Sequence, residues 1–306
     1  MNSGKDPLTS RANDALHVTW VGLFVNIALS AFKLTAGILG RSAAMIADAV
    51  HSISDLATDL VVLVGFRYVK KPVDVGHDYG HGKYETLASL VVGVILFGAG
   101  LTILLSGVRQ IAGAAGNHEV VQPGWIAFYA ALISIVSKEL LYQYTIKVGR
   151  KIDSSAVVAN AWHHRSDALS SVGTLIGVGG AIMLGSNWRV LDPLAAFFVS
   201  LMILKTAYDI VRENLGELLE ASLCNETEDR IMKIAGDTPG VHIPHNLRTR
   251  KIGSAVAIDL HVKVDPRLNV VKAHEIATDI EKRLKDSFGR QTFISIHVEP
   301  LSRSMK

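Results

Sequence analysis

The sequence predicts a bundle of six membrane-spanning α-helices followed by a small α+β domain of ferredoxin-like order α-β-β-α-β. Three observations predict it. Of 306 residues, 49% are hydrophobic and only 19% are charged, against about 25% charged in ordinary soluble domains. Apolar windows of roughly 20 residues, the length that crosses a hydrocarbon core, recur six times before residue 212. Beyond that point the chain alternates short strand-like and amphipathic segments.

The windows fall near 15–39, 43–66, 85–112, 123–146, 156–184 and 190–211. Gly40-Arg41-Ser42, the polar run from Lys70 to Lys83, Gly116 to Gly124, Gly149 to Asp153 and Gly185-Ser186-Asn187 separate them. Residues 1–14 are polar, carry no apolar core with a small-residue cleavage site, and are expected as a cytoplasmic tail rather than a signal peptide. Lys5, Arg11, Arg67, Lys70, Lys71, Lys83, Lys147, Arg150 and Lys151 fall on one side of the bundle, and Arg41 and Arg189 on the other. Basic residues concentrate on the cytoplasmic side, so both termini are expected there. The expected division is a transmembrane domain over 15–212 and a cytoplasmic domain over 213–306.

In the cytoplasmic part, Glu226 to Gly236 and Val270 to Phe288 read as helices. Val241 to Arg250, Ala255 to Val264 and Thr292 to Glu299 read as strands. Val256, Ile258, Leu260, Val262 and Val264 alternate with Ala257, Asp259, His261 and Lys263, the period of a half-buried strand. His261 is thereby placed on the face away from the core.

Composition also excludes function classes. The net charge is +3 with no basic block of the kind that follows phosphates, so nucleic acid is not an expected partner. Cys224 is the single cysteine, which rules out an intrachain disulfide and a thiolate-rich metal site. A metal ion would have to be held by His, Asp and Glu. His274-Glu275 is no metalloprotease fragment, because Thr278 stands where the second histidine of HExxH belongs. No nucleophile elbow or phosphate loop is present, and no enzyme is expected.

Ionisable residues inside a membrane are expensive and mark functional sites by default. The second window carries Asp48, His51, Asp55 and Asp59 on one helical stripe, and the fifth carries His163, His164 and Asp167. At 1.5 Å per residue, His51 to Asp55 lie roughly 12–18 Å from the outer end of their helix, and His163 to Asp167 roughly 10–17 Å from the inner end of theirs. The two groups should meet near the midplane. Two imidazoles and two carboxylates suit tetrahedral zinc. Lys33, Lys138 and Glu139 are read as structural, the latter two pairing or reaching toward the cytoplasmic surface. A rival reading, a metal-sensing or scaffold membrane protein that transports nothing, shares every motif but gives the intramembrane quartet no task.

The segments ADAVHSISDLATD (47–59), GHDYGHGKYETLASL (76–90), SKELLYQYTIKVG (137–149), ANAWHHRSDALSS (159–171) and HNLRTR (245–250) resemble the signatures of the cation diffusion facilitator family. The resemblance implies six transmembrane helices, a homodimer in the lipid bilayer of a bacterial inner membrane, a ferredoxin-like cytoplasmic domain, and metal efflux coupled to inward proton flow. It selects His163 over His164 as the ligand beside Asp167. It places Zn2+ first as cargo and as regulatory ligand, on the likeness of His51 to the zinc and cadmium transporters, and leaves cadmium, iron(II), manganese and cobalt open. Asp74, His77 and His81 correspond to a second metal site in the loop after the second helix. A third is implied between the subunits' cytoplasmic domains, with His245, His261 and His297 as ligands, His274 as a bridging candidate and Glu299 as an oxygen donor. Lys83 and Glu220 are implied as a salt bridge between the membrane and cytoplasmic parts.

Overall fold

Six long helices come first: α1 (Pro7–Leu39), α2 (Ala43–Val69), α3 (Lys83–Ala115), α4 (Trp125–Lys151), α5 (Ser155–Met183) and α6 (Leu191–Leu218). The remainder holds α7 (Asn225–Gly236), β1 (Ile243–Ile252), β2 (Ala255–Val264), α8 (Val270–Phe288) and β3 (Phe293–Pro300), the expected order. The computed structural model describes residues 7–69, 74, 76–115, 120–152, 154–253 and 255–301. Lys5, Lys70, Lys71 and Asp153 lie outside the described residues, as do the side chains of Arg11, Asp59 and Arg67. Among the described residues, α1, α3, α4, α5 and α6 each contain a stretch long and apolar enough to cross a membrane.

α6 runs seven residues past its expected end at 211. Apolar content measures what a membrane accepts, whereas a helix continues as long as its backbone ladder is unbroken. The extra turns carry Glu213 and Glu217.

The chain divides into two compact units, Met1–Leu60 with Val92–Asp209, and Val61–Val91 with Ile210–Lys306. In the first, Ala36, Ala44, Met45, Ala127, Ala130, Ala131, Val178 and Ile182 form a buried cluster joining α1, α2, α4 and α5. Small side chains let membrane helices approach closely. At the turn between α1 and α2, the Gly124 N–H donates to the Gly40 carbonyl at 2.7 Å, and a Cβ on Gly40 would stand 2.9 Å from that of Ala127. The start of α2 is held from α6: the Asp192 carboxylate accepts from the Ser42 hydroxyl at 2.5 Å and from the Ala43 N–H at 2.7 Å. A carboxylate satisfies unpaired amides at a helix N-terminus and complements its dipole. Ala47 and Val50 then pack with Ala196, Val199 and Ile203. That packing fixes the rotation of α2 and hence which way its polar stripe points.

In the second unit the three strands lie in the order β1-β2-β3, with β1 and β2 antiparallel and β2 and β3 parallel. Ile231 and Ala235 of α7, Ile280 and Leu284 of α8, and Ile258, Leu260 and Val262 of β2 make its core. From Ile258 onward the alternation in β2 therefore resolves as the periodicity predicts, whereas Ala257, expected on the other face, is buried too. On the opposite face, His245 pairs in register with His261, and His261 with His297, so three histidines stand in one row across the sheet. Gly82, just before α3, meets the β1–β2 hairpin: a Cβ there would lie 2.7 Å from the Ile252 carbonyl.

Candidate metal centre

Asp55, His163 and Asp167 each offer a ligand atom within 4.8 Å of the others. α2 supplies the first and α5 the other two. Nδ1 of His163 lies 3.8 Å from Oδ1 of Asp167, one helical turn away. His51 stands one turn before Asp55 on α2, but it lies outside the group of three. Its Nδ1 is buried and has no hydrogen-bond partner among the described residues. His164 points elsewhere. It is buried against Gly22 of α1, where an added Cβ would come within 3.4 Å of its Nε2. Of the two neighbouring histidines, it is His163 that lies in the group of three.

Lys138 was expected to snorkel or pair near the cytoplasmic end of α4. It pairs: its side chain is 3% exposed, and its Nζ donates to Oδ2 of Asp167 at 2.8 Å, a partner the sequence reading did not name. The depth count that brought α2 and α5 together, extended to α4, would have found it: Lys138 lies roughly 12 Å from the C-terminal end of its apolar window, within the range that His163 to Asp167 span from the N-terminal end of theirs. Lys33 and Asp48 form a second buried pair at 2.8 Å, closed by Ser52 and Ser171. Asp48 lies two turns before Asp55 on α2 and Ser171 one turn after Asp167 on α5, so this pair closes one end of the site.

In the loop, Asp74, His77 and His81 form a second group with ligand atoms within 4.8 Å. Asp74 faces His77 at 3.0 Å through one oxygen and His81 at 3.3 Å through the other. The hydrogen bond from His77, aided by the Gly76 N–H, holds the Asp74 carboxyl below the usual carboxylate range. One carboxylate and two imidazoles thus stand together in the loop.

The third group is His245, His261 and Glu299. Glu299 accepts from His261 at 2.9 Å and faces His245 at 3.2 Å. The His261 hydrogen bond, with His245 nearby, lowers its pKa from the usual carboxylate value. His297 is adjacent but not part of the group: its ring stands 4.6 Å from that of His261, and its Nε2 is 3.8 Å from Glu299. His274 is on the exposed face of α8 and does not join the group. Helix position decides this, since α8 covers the opposite face of the sheet from the histidine row. The bulge between His245 and Arg248 went unforeseen, and it lets Asn246 contact His261 at 3.2 Å.

Lys83 and Glu220 form an ion pair, and Arg250 joins Glu220 at 3.1 Å. Beside it the buried Glu217 accepts from Thr86 at 2.6 Å and from the Gly253 N–H at 2.7 Å. These acids tie the end of α6 to the start of α3 and to the β1–β2 hairpin.

Residues 19–219 match the cation efflux transmembrane domain, and residues 223–301 match the cation efflux protein cytoplasmic domain. The chain is 36% identical over 291 residues to metal tolerance protein C1 of Arabidopsis thaliana, covering 92% of this chain and 61% of that protein's length. It is 33% identical to the magnetosome protein MamB of Magnetospira sp. (strain QH-2), covering 93% and 94% of the two chains. It is 32% identical to the manganese efflux system protein MneP of Bacillus subtilis (strain 168), covering 92% and 95%. A solved structure of the MamM CTD matches 25% of this chain and 96% of that one, at 27% identity and a TM-score of 0.24. Two domain models that together span residues 19–301, with relatives matched over nine-tenths of this chain, lead to one conclusion: the chain is a multi-pass membrane protein of the cation efflux, or cation diffusion facilitator, family of divalent metal transporters.

Proposed function

We propose that the protein exports divalent metal ions, Zn2+ first among them, across a bacterial inner membrane in exchange for protons. The observation that carries this reading is the convergence of Asp55, His163 and Asp167 within 4.8 Å between apolar helices. In this reading His51, whose buried Nδ1 has no hydrogen-bond partner among the described residues, completes the set. Neutral imidazole and ionised carboxylate bind the metal, so protons and metal compete for the same atoms. A site opening first to one side and then to the other exchanges one for the other by alternating access. With no thiolate available, the ion leaves readily enough for turnover.

In this reading residues 15–212 form the membrane domain and 213–306 a cytoplasmic domain that pairs in a homodimer, with both termini in the cytoplasm. Asp74, His77 and His81 hold an ion at the cytoplasmic surface. His245, His261 and Glu299 hold a regulatory one, with His297 in support. Lys83 and Glu220 fasten the two parts.

One observation favours a second cargo. The atoms already gathered are two carboxylate oxygens and one imidazole, with His51 outside, and oxygen-rich sets suit manganese and iron(II) better than zinc. The relative named for manganese efflux agrees in kind. Flux into sealed, metal-free proteoliposomes under an imposed pH gradient tests the reading. Wild type is expected to move zinc, and Asp55→Ala or Asp167→Ala to abolish movement while the protein still folds and dimerises. Unchanged flux in both variants would remove the central site, and no flux of any divalent ion in wild type would leave a metal sensor.

A further inference from the structure

Buried ammonium groups are tolerated only when paired, because the cost of removing a charge from water is several kcal/mol. Lys138 meets that condition through one contact. Its Nζ is 2.8 Å from Oδ2 of Asp167, with side-chain exposures of 3% and 7%, and no second acid pairs with it among the described residues. Asp55 offers a carboxylate oxygen within 4.8 Å of a ligand atom of Asp167, so a second acid stands beside the pair. The second oxygen of Asp167 faces His163. The same carboxylate therefore serves a tethered cation on one side and the gathered ligand atoms on the other.

We propose that Lys138 is a built-in competitor for the transported ion: its ammonium holds Asp167 when no ion is present, is displaced when a divalent ion binds, and returns to expel it. The inference rests on the reading of Asp55, His163 and Asp167 as the transport site. Its physical content is charge balance. Two carboxylates facing one ammonium leave a single net negative charge, which attracts a divalent ion but gains little from a monovalent one that must first displace a cation of equal charge. The competitor also weakens binding, which a transporter needs in order to release its load. A lysine that merely positioned Asp167 would have the opposite effect on affinity.

The test measures Zn2+ binding to the full chain in a His77→Ala, His261→Ala background, which disables the other two groups, together with flux in proteoliposomes. Lys138→Gln is expected to bind Zn2+ on the order of tenfold more tightly and to have a lower maximal flux. Lys138→Arg, which keeps the charge, should gain no affinity. Weaker or unchanged binding in Lys138→Gln overturns the proposal, as does a gain of affinity in Lys138→Arg. Asp167→Asn separates the two levels of argument, because undiminished binding there would overturn the site itself and the competitor with it. Wild-type protein supplies a measurement free of folding defects. A small amine-reactive reagent, read by peptide mass spectrometry, should label Lys138 faster with Zn2+ present than without. Equal or slower labelling contradicts displacement.

Discussion

Position 51 is where residue chemistry bears most directly on which ion is carried. His51 shares a helical face with Asp55, yet the three atoms already gathered belong to Asp55, His163 and Asp167. An imidazole joining two carboxylates and a second imidazole makes a borderline set that favours zinc, and an oxygen at the same place shifts the balance toward manganese and iron(II). His51→Asp is therefore expected to lower the preference for zinc over manganese. Zinc flux measured against rival divalent ions checks it. An unchanged order of preference would mean that His51 does not touch the ion. For Lys138 the sequence reading allowed a pair but named no partner, and the partner is Asp167. Residue type alone assigns a lysine near a helix end to the surface, and only its neighbours across α5 turn it inward.

At the scale of elements, the end of α6 is the busiest junction of the second unit. Glu220 sits at a backbone φ of +61°, a left-handed conformation that costs a non-glycine residue roughly 1–2 kcal/mol. Lys83 and Arg250 both bind its carboxylate, which explains why glycine does not occupy the position. Both members of the Lys83 pair are substantially exposed, so the pair itself contributes only about 0–1 kcal/mol, and its value is in geometry. Lys83→Glu is expected to reduce flux with little change in melting temperature. Adding Glu220→Lys should restore it only in part, because the new lysine would face Arg250. Replacing Arg250 with Gln as well should restore more. Full flux in Lys83→Glu alone would dismiss the lock. Strands and helices were legible in the sequence to within a few residues because their periodicities are local. The Glu217 contacts with Thr86 and Gly253 were not, because they join segments more than 30 residues apart that carry no common pattern. The bulge at Asn246, with φ +49°, was hidden for a related reason: the intervening residues still look like strand.

Across the whole molecule, the proposed regulatory metal group must act by drawing two copies of the cytoplasmic domain together. The sequence brought five residues to that group; within one chain they fall into a joined set, His245, His261 and Glu299, a neighbour, His297, and His274, which stands apart on α8. That separation orders the expected effects. Cys224 is exposed and is the only cysteine, so one spin label there gives a single distance between subunits of a homodimer. Zinc is expected to shorten and narrow that distance in wild type. His261→Ala should remove the response, because His261 alone contacts both Glu299 and the other histidines of the row. His297→Ala should blunt it, and His274→Ala should leave it intact. Flux at saturating zinc should persist in all three, since none of these residues belongs to the group between α2 and α5. A distance that ignores zinc in wild type would show that these histidines do not regulate the dimer. Loss of flux in well-folded His261→Ala would instead place the cytoplasmic group on the path of the ion, with release from it governing entry to the helices.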